Sequence, residues 1–212
     1  MSTATRAAHK SGAKSAKRAV TRPSRRPVLL WSVLILAFVA ILTSMVIVSR
    51  QSPSAAANND SPGVGHPAPA FSLTNTDGRT VSLAGYRGRT VVLYFNEGVG
   101  CDVCFYQTAE FEKHAADLTK AGVTILPIVM NPANQVRPEL TRFGLHTPYL
   151  IDGTGSVSKA YGVLGKGMHA DMPGHGFVLV DKNGVERWYG EYPSMYLSTA
   201  DLLKQVTSHL PS

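Results

Sequence analysis

Only two cysteines occur in the chain, spaced as Cys101-Asp102-Val103-Cys104. Two thiols three residues apart at the start of a helix can exchange electrons with an external thiol or disulfide. Free backbone N–H groups and the positive end of the helix dipole stabilise a thiolate there and prepare it for attack. The second sulfur then lies within reach to resolve the mixed disulfide. Three other roles are open to such a pair. A structural staple closing so short a loop contributes roughly 2 kcal/mol in the chain-entropy account, weak for a domain of this size. A zinc site lacks its second close pair of ligands. Inert buried thiols fit poorly with an oxidising compartment, which the N-terminal region suggests.

The elements needed to position the pair are legible around it. Before the cysteines, Thr90-Val-Val-Leu-Tyr-Phe95 is a continuous apolar run of strand length, as in a strand buried on both faces. After them, Phe105, Phe111, His114, Ala115 and Leu118 recur at helical spacing and stop before Gly122. Phe71-Ser-Leu73 and Val81-Ser-Leu83 alternate around Asp77-Gly78, predicting a hairpin. Further strands are expected over 123–130, 149–151 and 177–180, with a helix near 135–143. Asn183-Gly184 turns the chain into a strand over 185–189, and residues 197–210 read as a closing amphipathic helix. The order β-β, β-α-β-α-β, β-β-α predicts an α/β domain with a mixed central sheet flanked by helices.

Several segments resemble the opening of the redoxin group, which includes the alkyl hydroperoxide reductase/thiol-specific antioxidant family and membrane-tethered thioredoxin-like proteins. They are Gly65-His-Pro-Ala-Pro-Ala-Phe-Ser-Leu73, Asp77-Gly-Arg-Thr-Val-Ser-Leu83 and Gly88-Arg-Thr-Val-Val-Leu-Tyr-Phe95. Ser158-Lys-Ala-Tyr-Gly-Val163 and Phe177-Val-Leu-Val-Asp-Lys-Asn-Gly184 continue the likeness. The resemblance implies a thioredoxin-like fold with Cys101 and Cys104 as the catalytic residues at the start of the first long helix. Departures select the branch. The peroxiredoxin pattern Pro-x-x-x-Thr/Ser-x-x-Cys finds Glu97 and Cys101 when laid on Cys104, and Tyr94 and Gly98 when laid on Cys101. Gly174 stands where peroxiredoxins carry arginine, and Gly100 where thioredoxin-like reductases carry tryptophan. Pro173 lies one position early for the cis-proline of those reductases, yet is the candidate for that substrate-positioning role. The chain thus resembles a peroxiredoxin-like branch in which Cys-x-x-Cys has taken over the motif. The two patterns disagree about the attacking sulfur: the thioredoxin-like one makes it Cys101, the peroxiredoxin one Cys104.

Weaker candidates surround the pair. Met168, His169, Met172 and His175 lie in a Gly-rich stretch and offer the soft ligands that suit Cu(I), which keeps a copper-binding metallochaperone as an alternative. Glu97, Glu110 and His114 are candidates for proton transfer, or simply solvated helix residues. Otherwise no metal and no cofactor is expected.

The formal charge of +7 does not indicate nucleic acid. Eight basic residues (Arg6, Lys10, Lys14, Lys17, Arg18, Arg22, Arg25 and Arg26) precede residue 28, and the first acidic one is Asp60. Without those eight the rest sums to about −1, leaving no basic stripe for the domain. Residues 28–48 carry no charge, and as a helix their 21 residues would rise about 31 Å, near the thickness of a bilayer core. The basic flank predicts a single transmembrane helix with a disordered cytoplasmic tail over 1–27. A flexible linker over 49–65 and an extracytoplasmic redox domain over 66–212 follow. A cleaved signal peptide is the other reading, supported by Ala55-Ala56-Ala57 and by Ser24-Arg25-Arg26, although the apolar stretch exceeds an ordinary signal core. Either way the domain is exported. The expected function is a membrane-anchored thiol-disulfide oxidoreductase acting on protein disulfides, with a membrane or extracytoplasmic thiol as electron donor. Reduction of peroxide is the alternative within the same family.

Overall fold

The computed structural model describes residues 63–211. The expectations for 1–27, for a membrane helix over 28–48 and for nearly all of the 49–65 linker lie outside these residues. Among the described residues no helix is long and apolar enough to cross a membrane.

Seven strands form one mixed sheet: β1 Ser72–Asn75, β2 Thr80–Ser82, β3 Thr90–Phe95, β4 Val123–Val129, β5 Leu150–Ile151, β6 Gly176–Val180 and β7 Glu186–Glu191. Their order across the sheet is β2-β1-β5-β4-β3-β6-β7. Strands β3, β4 and β5 run parallel, while β1, β6 and the two edges pair antiparallel. The parallel connections are made by helices, as crossover geometry requires. The helices are α1 Asp102–Lys113, α2 Ala115–Lys120, α3 Ala133–Phe143, α4 Ser156–Ala160 and α5 Thr199–His209. This is the mixed α/β arrangement that the order of elements implied, and it has the thioredoxin-like form that the family resemblance implied.

Strand β3 lies near the middle and explains its own composition. Val91, Leu93 and Phe95 point into a core shared with Leu126, Ile128, Val178 and Tyr161. Val92 and Tyr94 point to the opposite face, against Phe111, Phe177, Trp188 and Leu202. Both faces are covered, so the strand needs no polar alternation. A third cluster joins Phe105 of α1 to Val136 and Leu140 of α3 and to Tyr149.

Two local features differ from the sequence reading. The helical period through His114 and Leu118 is interrupted: His114 leaves helical geometry at φ −106° and ψ 25° and separates α1 from α2. Its imidazole sits between Glu110 (3.4 Å) and Asp117 (3.2 Å). Helix α4 is the second, too short to show a period. It forms because buried Asp152 accepts from the N–H groups of Val157 (3.2 Å) and Ser158 (2.7 Å).

Candidate active site

The loop from β3 to α1 is held from beneath by two asparagines. Asn96 Oδ1 accepts from Gly98 N–H (3.0 Å), and Asn131 Oδ1, at the end of β4, accepts from Val99 N–H (3.0 Å). Gly98 and Gly100 take φ of +72° and +96°, the left-handed region that other residues avoid. At Gly98 a Cβ would also lie 2.2 Å from Asn131 Oδ1. The loop thereby delivers Cys101 to the N-cap of α1, where its N–H donates to Gly98 O (3.0 Å).

Cys101 and Cys104 are joined as a disulfide, with Cα atoms 5.4 Å apart. The N–H of Cys104 points back at Cys101, 3.0 Å from its carbonyl oxygen and 3.3 Å from Sγ. A thiolate on Cys101 would receive that same donor in addition to the helix dipole. Cys101 is 7% exposed and Cys104 is fully buried, so solvent reaches the first cysteine only.

A buried polar chain runs behind Cys104. The Tyr94 hydroxyl, on β3, lies 3.2 Å from Cys104 O and 3.2 Å from His175 Nδ1. His175 Nε2 faces Gln107 Oε1 at 3.4 Å. Gln107 is oriented by Leu197, whose N–H donates to Oε1 (2.6 Å) and whose carbonyl accepts from Nε2 (2.8 Å). Because Oε1 can only accept, the hydrogen of a neutral His175 belongs on Nε2, and the single Tyr94 hydroxyl hydrogen is shared between the Cys104 carbonyl and His175 Nδ1. Burial pushes the His175 pKa down to about 3, so the ring is uncharged at neutral pH. Burial likewise holds the Tyr94 phenol well above its usual pKa, with the nearby Tyr149 adding to the effect.

In front of the pair the charges are more exposed. Asp102, inside the motif, pairs with Arg142 of α3, which also contacts Glu139 (2.6 Å). The hydrogen bond from Arg142 keeps the Asp102 carboxyl below the usual carboxylate range. Glu97 is buried just beyond β3, accepting from Met168 N–H (2.8 Å) and lying 3.3 Å from His169 Nδ1.

The candidates named from the sequence separate on this geometry. Glu97 belongs to the same loop as Cys101. Glu110 and His114 pair with each other at the far end of α1, roughly 9 Å or more along the helix from Cys104. The four copper candidates do not converge: His175 is turned inward to Tyr94 and Gln107, while Met168 is 74% exposed and His169 faces Glu97. Among the described residues no group of three or more His, Cys, Asp or Glu side chains is arranged to hold a metal ion. Pro173 corrects the cis-proline expectation, since no cis peptide bond occurs among the described residues. Pro173 instead bridges Leu164 in antiparallel fashion, with Gly165 N–H donating to Met172 O (2.8 Å) and Gly174 N–H to Val163 O (3.1 Å). Arg142 and Asn131 carried no signal in the sequence because each reaches the motif from a distant element, while Tyr94 and Gln107 are near in the chain but take their roles from His175 and Leu197, which only the fold brings to them. Only Asn96, a polar residue ending an apolar strand, could have been suspected.

The model of the AhpC/TSA family matches residues 64–188 of the chain. A protein of Mycobacterium tuberculosis provisionally named a peroxiredoxin is 35% identical over 102 residues, 48% of this chain and 65% of that relative. The chain thus spans slightly less than two thirds of that relative's length. Among solved structures, the crystal structure of peroxidoxin BcpB from Mycobacterium tuberculosis superposes with a TM-score of 0.59 at 17% identity, over 71% of this chain and 99% of that one. The solution structure of a protein from Bacteroides thetaiotaomicron provisionally named a disulfide isomerase gives a TM-score of 0.55 at 25% identity, over 69% and 89%.

Proposed function

The chain belongs to the AhpC/TSA family, and from that premise we propose that it is an oxidoreductase exchanging two electrons with thiol-disulfide substrates through Cys101 and Cys104. One observation carries this reading: the only two cysteines are bonded to each other at the amino end of α1, and of the two residues only Cys101 keeps any exposed surface. In the reducing direction, a Cys101 thiolate attacks one sulfur of a substrate disulfide and displaces the other as a thiolate. Cys104 then loses its proton and attacks Cys101 Sγ, releasing the second substrate thiol. The substrate has gained two electrons and two protons, and the protein disulfide has re-formed. A thiol donor must restore the dithiol, and run backwards the same steps oxidise a substrate. Glu97, the buried carboxylate on the loop before Cys101, would accept or return the Cys104 proton through water.

Peroxide reduction is the second reading, favoured by the name of the Mycobacterium tuberculosis relative. There a cysteine thiolate attacks a peroxide oxygen and becomes a sulfenic acid while the alcohol or water departs. The other cysteine then displaces water to form the same disulfide. The missing Pro and Thr of the peroxiredoxin pattern weigh against it. The test compares turnover of hydrogen peroxide with turnover of a protein disulfide by the purified chain. Faster disulfide turnover is expected, and peroxide turnover exceeding it would reverse the assignment.

The proposal includes placement. Residues 28–48 anchor the chain as a single membrane span, the basic residues before them remain cytoplasmic, and the domain faces the extracytoplasmic side. A reporter fused after Ser212 that is active only in the cytoplasm should be silent, and activity would invert the topology.

A further inference from the structure

A cavity of about 220 Å³, bordered by Glu97 at the start of the cysteine loop, opens between the 165–175 loop and the 191–195 turn. Its position follows from the sheet. Phe95 pairs with Gly176 and Gly176 with Glu191, so the ends of β3, β6 and β7 lie in one row. The cysteine loop departs from this row at Phe95, and the cavity borders it at Glu97, His175 and Glu191.

Its walls are built closely. A Cβ on Gly167 would lie 2.4 Å from Glu97 Oε1, and one on Gly174 would lie 2.7 Å from the Lys166 carbonyl carbon, so the loop folds tightly on itself and on Glu97. Across the opening stands Met195, whose φ of +57° makes it the one described residue other than glycine in the left-handed region. Its N–H donates to Tyr192 O (2.8 Å), and the Gln107 clamp on Leu197 holds the chain just after it. A residue kept there against its preference signals a surface shaped for contact.

The lining selects an occupant. Met168, Met195 and the Tyr192 ring supply apolar and aromatic wall, with the carboxylates of Glu97 and Glu191 set among them. Against these two negative charges stands one lysine, Lys166, itself exposed. His175 adds no charge, because burial keeps it neutral. His169 touches Glu97 from outside but is itself largely solvated. The volume falls below the roughly 300–1,000 Å³ of small-molecule sites and suits one long side chain. An aliphatic stem along the methionines with a cation at its tip fits both parts of the lining. Glu97 already accepts from Met168 N–H and Glu191 from the Tyr189 hydroxyl (3.3 Å), and a cation would satisfy the acceptor capacity that remains.

We propose that this cavity is a specificity site that receives a lysine or arginine side chain of a polypeptide substrate close to the cysteine being attacked. The proposal rests on the thiol-disulfide reading above. Anchoring that side chain would raise the effective concentration of the substrate sulfur at Cys101.

The test uses the full-length chain, reduced and freed of reductant, in single turnovers against short peptides with one internal disulfide. The peptides carry Lys, Met, Leu or Glu next to the cysteines. Each turnover converts a peptide disulfide and a protein dithiol into a peptide dithiol and the Cys101–Cys104 disulfide. The Lys peptide should react roughly tenfold faster than the Glu peptide, the ratio that about 1.4 kcal/mol produces. Glu191→Gln should shrink that ratio and Lys166→Gln should enlarge it. Opposite movements cannot arise from a general loss of folding. Equal rates for all peptides, a fastest Met or Leu peptide, or ratios unmoved by both variants would overturn the specificity site alone. If no peptide reacts while hydrogen peroxide is consumed, the thiol-disulfide reading fails together with it.

Discussion

Arg142 of α3 reaches across to Asp102, the first residue between the two cysteines, and holds its carboxylate in a two-pronged ion pair. From the sequence alone, Asp102 opposes a thiolate on Cys101, because a negative charge beside a thiol raises its pKa. The guanidinium changes that balance by placing a positive charge at the same distance scale. Both side chains are about half exposed (52% and 54%), so the pair acts through a screened field and not as a stabilising strut.

Removing the cation should therefore expose the anion. In a Cys104→Ser background, Arg142→Gln is expected to move the pH profile of Cys101 alkylation upward by roughly half a unit, the scale of a solvent-screened neighbour. Asp102→Asn should move it downward, and the double variant should return near the parent. An unchanged profile in Arg142→Gln would show that Glu139, and not Cys101, is the partner that matters to this arginine.

The two sulfurs should differ in reactivity. Cys101 receives the Cys104 N–H and has the only solvent access, whereas Cys104 is fully buried. At neutral pH the Cys104→Ser protein should alkylate at least about tenfold faster than the Cys101→Ser protein, since thiolate fraction and access act together. The reverse order, read by mass spectrometry over time, would move the attacking sulfur to Cys104 and favour the peroxide reading.

His175 should make the fold acid-sensitive well above the carboxylate range. Its folded pKa of about 3 lies below the ordinary 6.5. Between these values the unfolded chain binds a proton that the folded chain refuses, so stability falls as pH drops. The loss should approach 1 kcal/mol per pH unit, as an order of magnitude, between about pH 6 and pH 4. Asp102, Asp181 and Asp201, whose pKa values are lowered in the fold, add their own losses only further down. Urea midpoints at pH 7, 5.5 and 4.5 for the parent and His175→Gln check this, and parallel curves would dismiss the histidine as the cause.

Gly98→Ala tests the loop. The new methyl meets Asn131 Oδ1 at 2.2 Å on a backbone at φ +72°. Left-handed strain and the displaced Asn131–Val99 bond together should cost about 2 kcal/mol. Gly100→Ala has open space around its Cβ and should cost less, from its φ of +96° alone. Equal losses, measured by chemical denaturation, would mean that the Asn131 contact contributes nothing.

The frame of the fold was legible because its signals are local. The apolar run of β3, the turn pairs Asp77-Gly78 and Asn183-Gly184, and the amphipathic closing helix all appear where their patterns put them. Helix α1 was legible in outline, but its break at His114 was not, since side-chain bonds to Glu110 and Asp117 outweigh a continuous period. The site divides in the same way. Cys101, Cys104 and Glu97 sit on one short stretch of chain. Arg142, His175 and Leu197 arrive from elements whose arrangement only the folded sheet defines. Pro173 misled because its pairing with Leu164 is tertiary.

Strand β3 has hydrogen-bonded neighbours on both sides, parallel to β4 and antiparallel to β6, and it leads directly into the cysteine loop. A partner covalently joined to Cys101 would tug on the protein with every tumble of its own mass. The loop that carries such a partner is rooted in β3, which two ladders hold at once. An edge strand would peel open one bond at a time under the same load. In the proposed exchange, a substrate held by a single sulfur would thus hang from a loop anchored in the interior of the sheet and not from its edge.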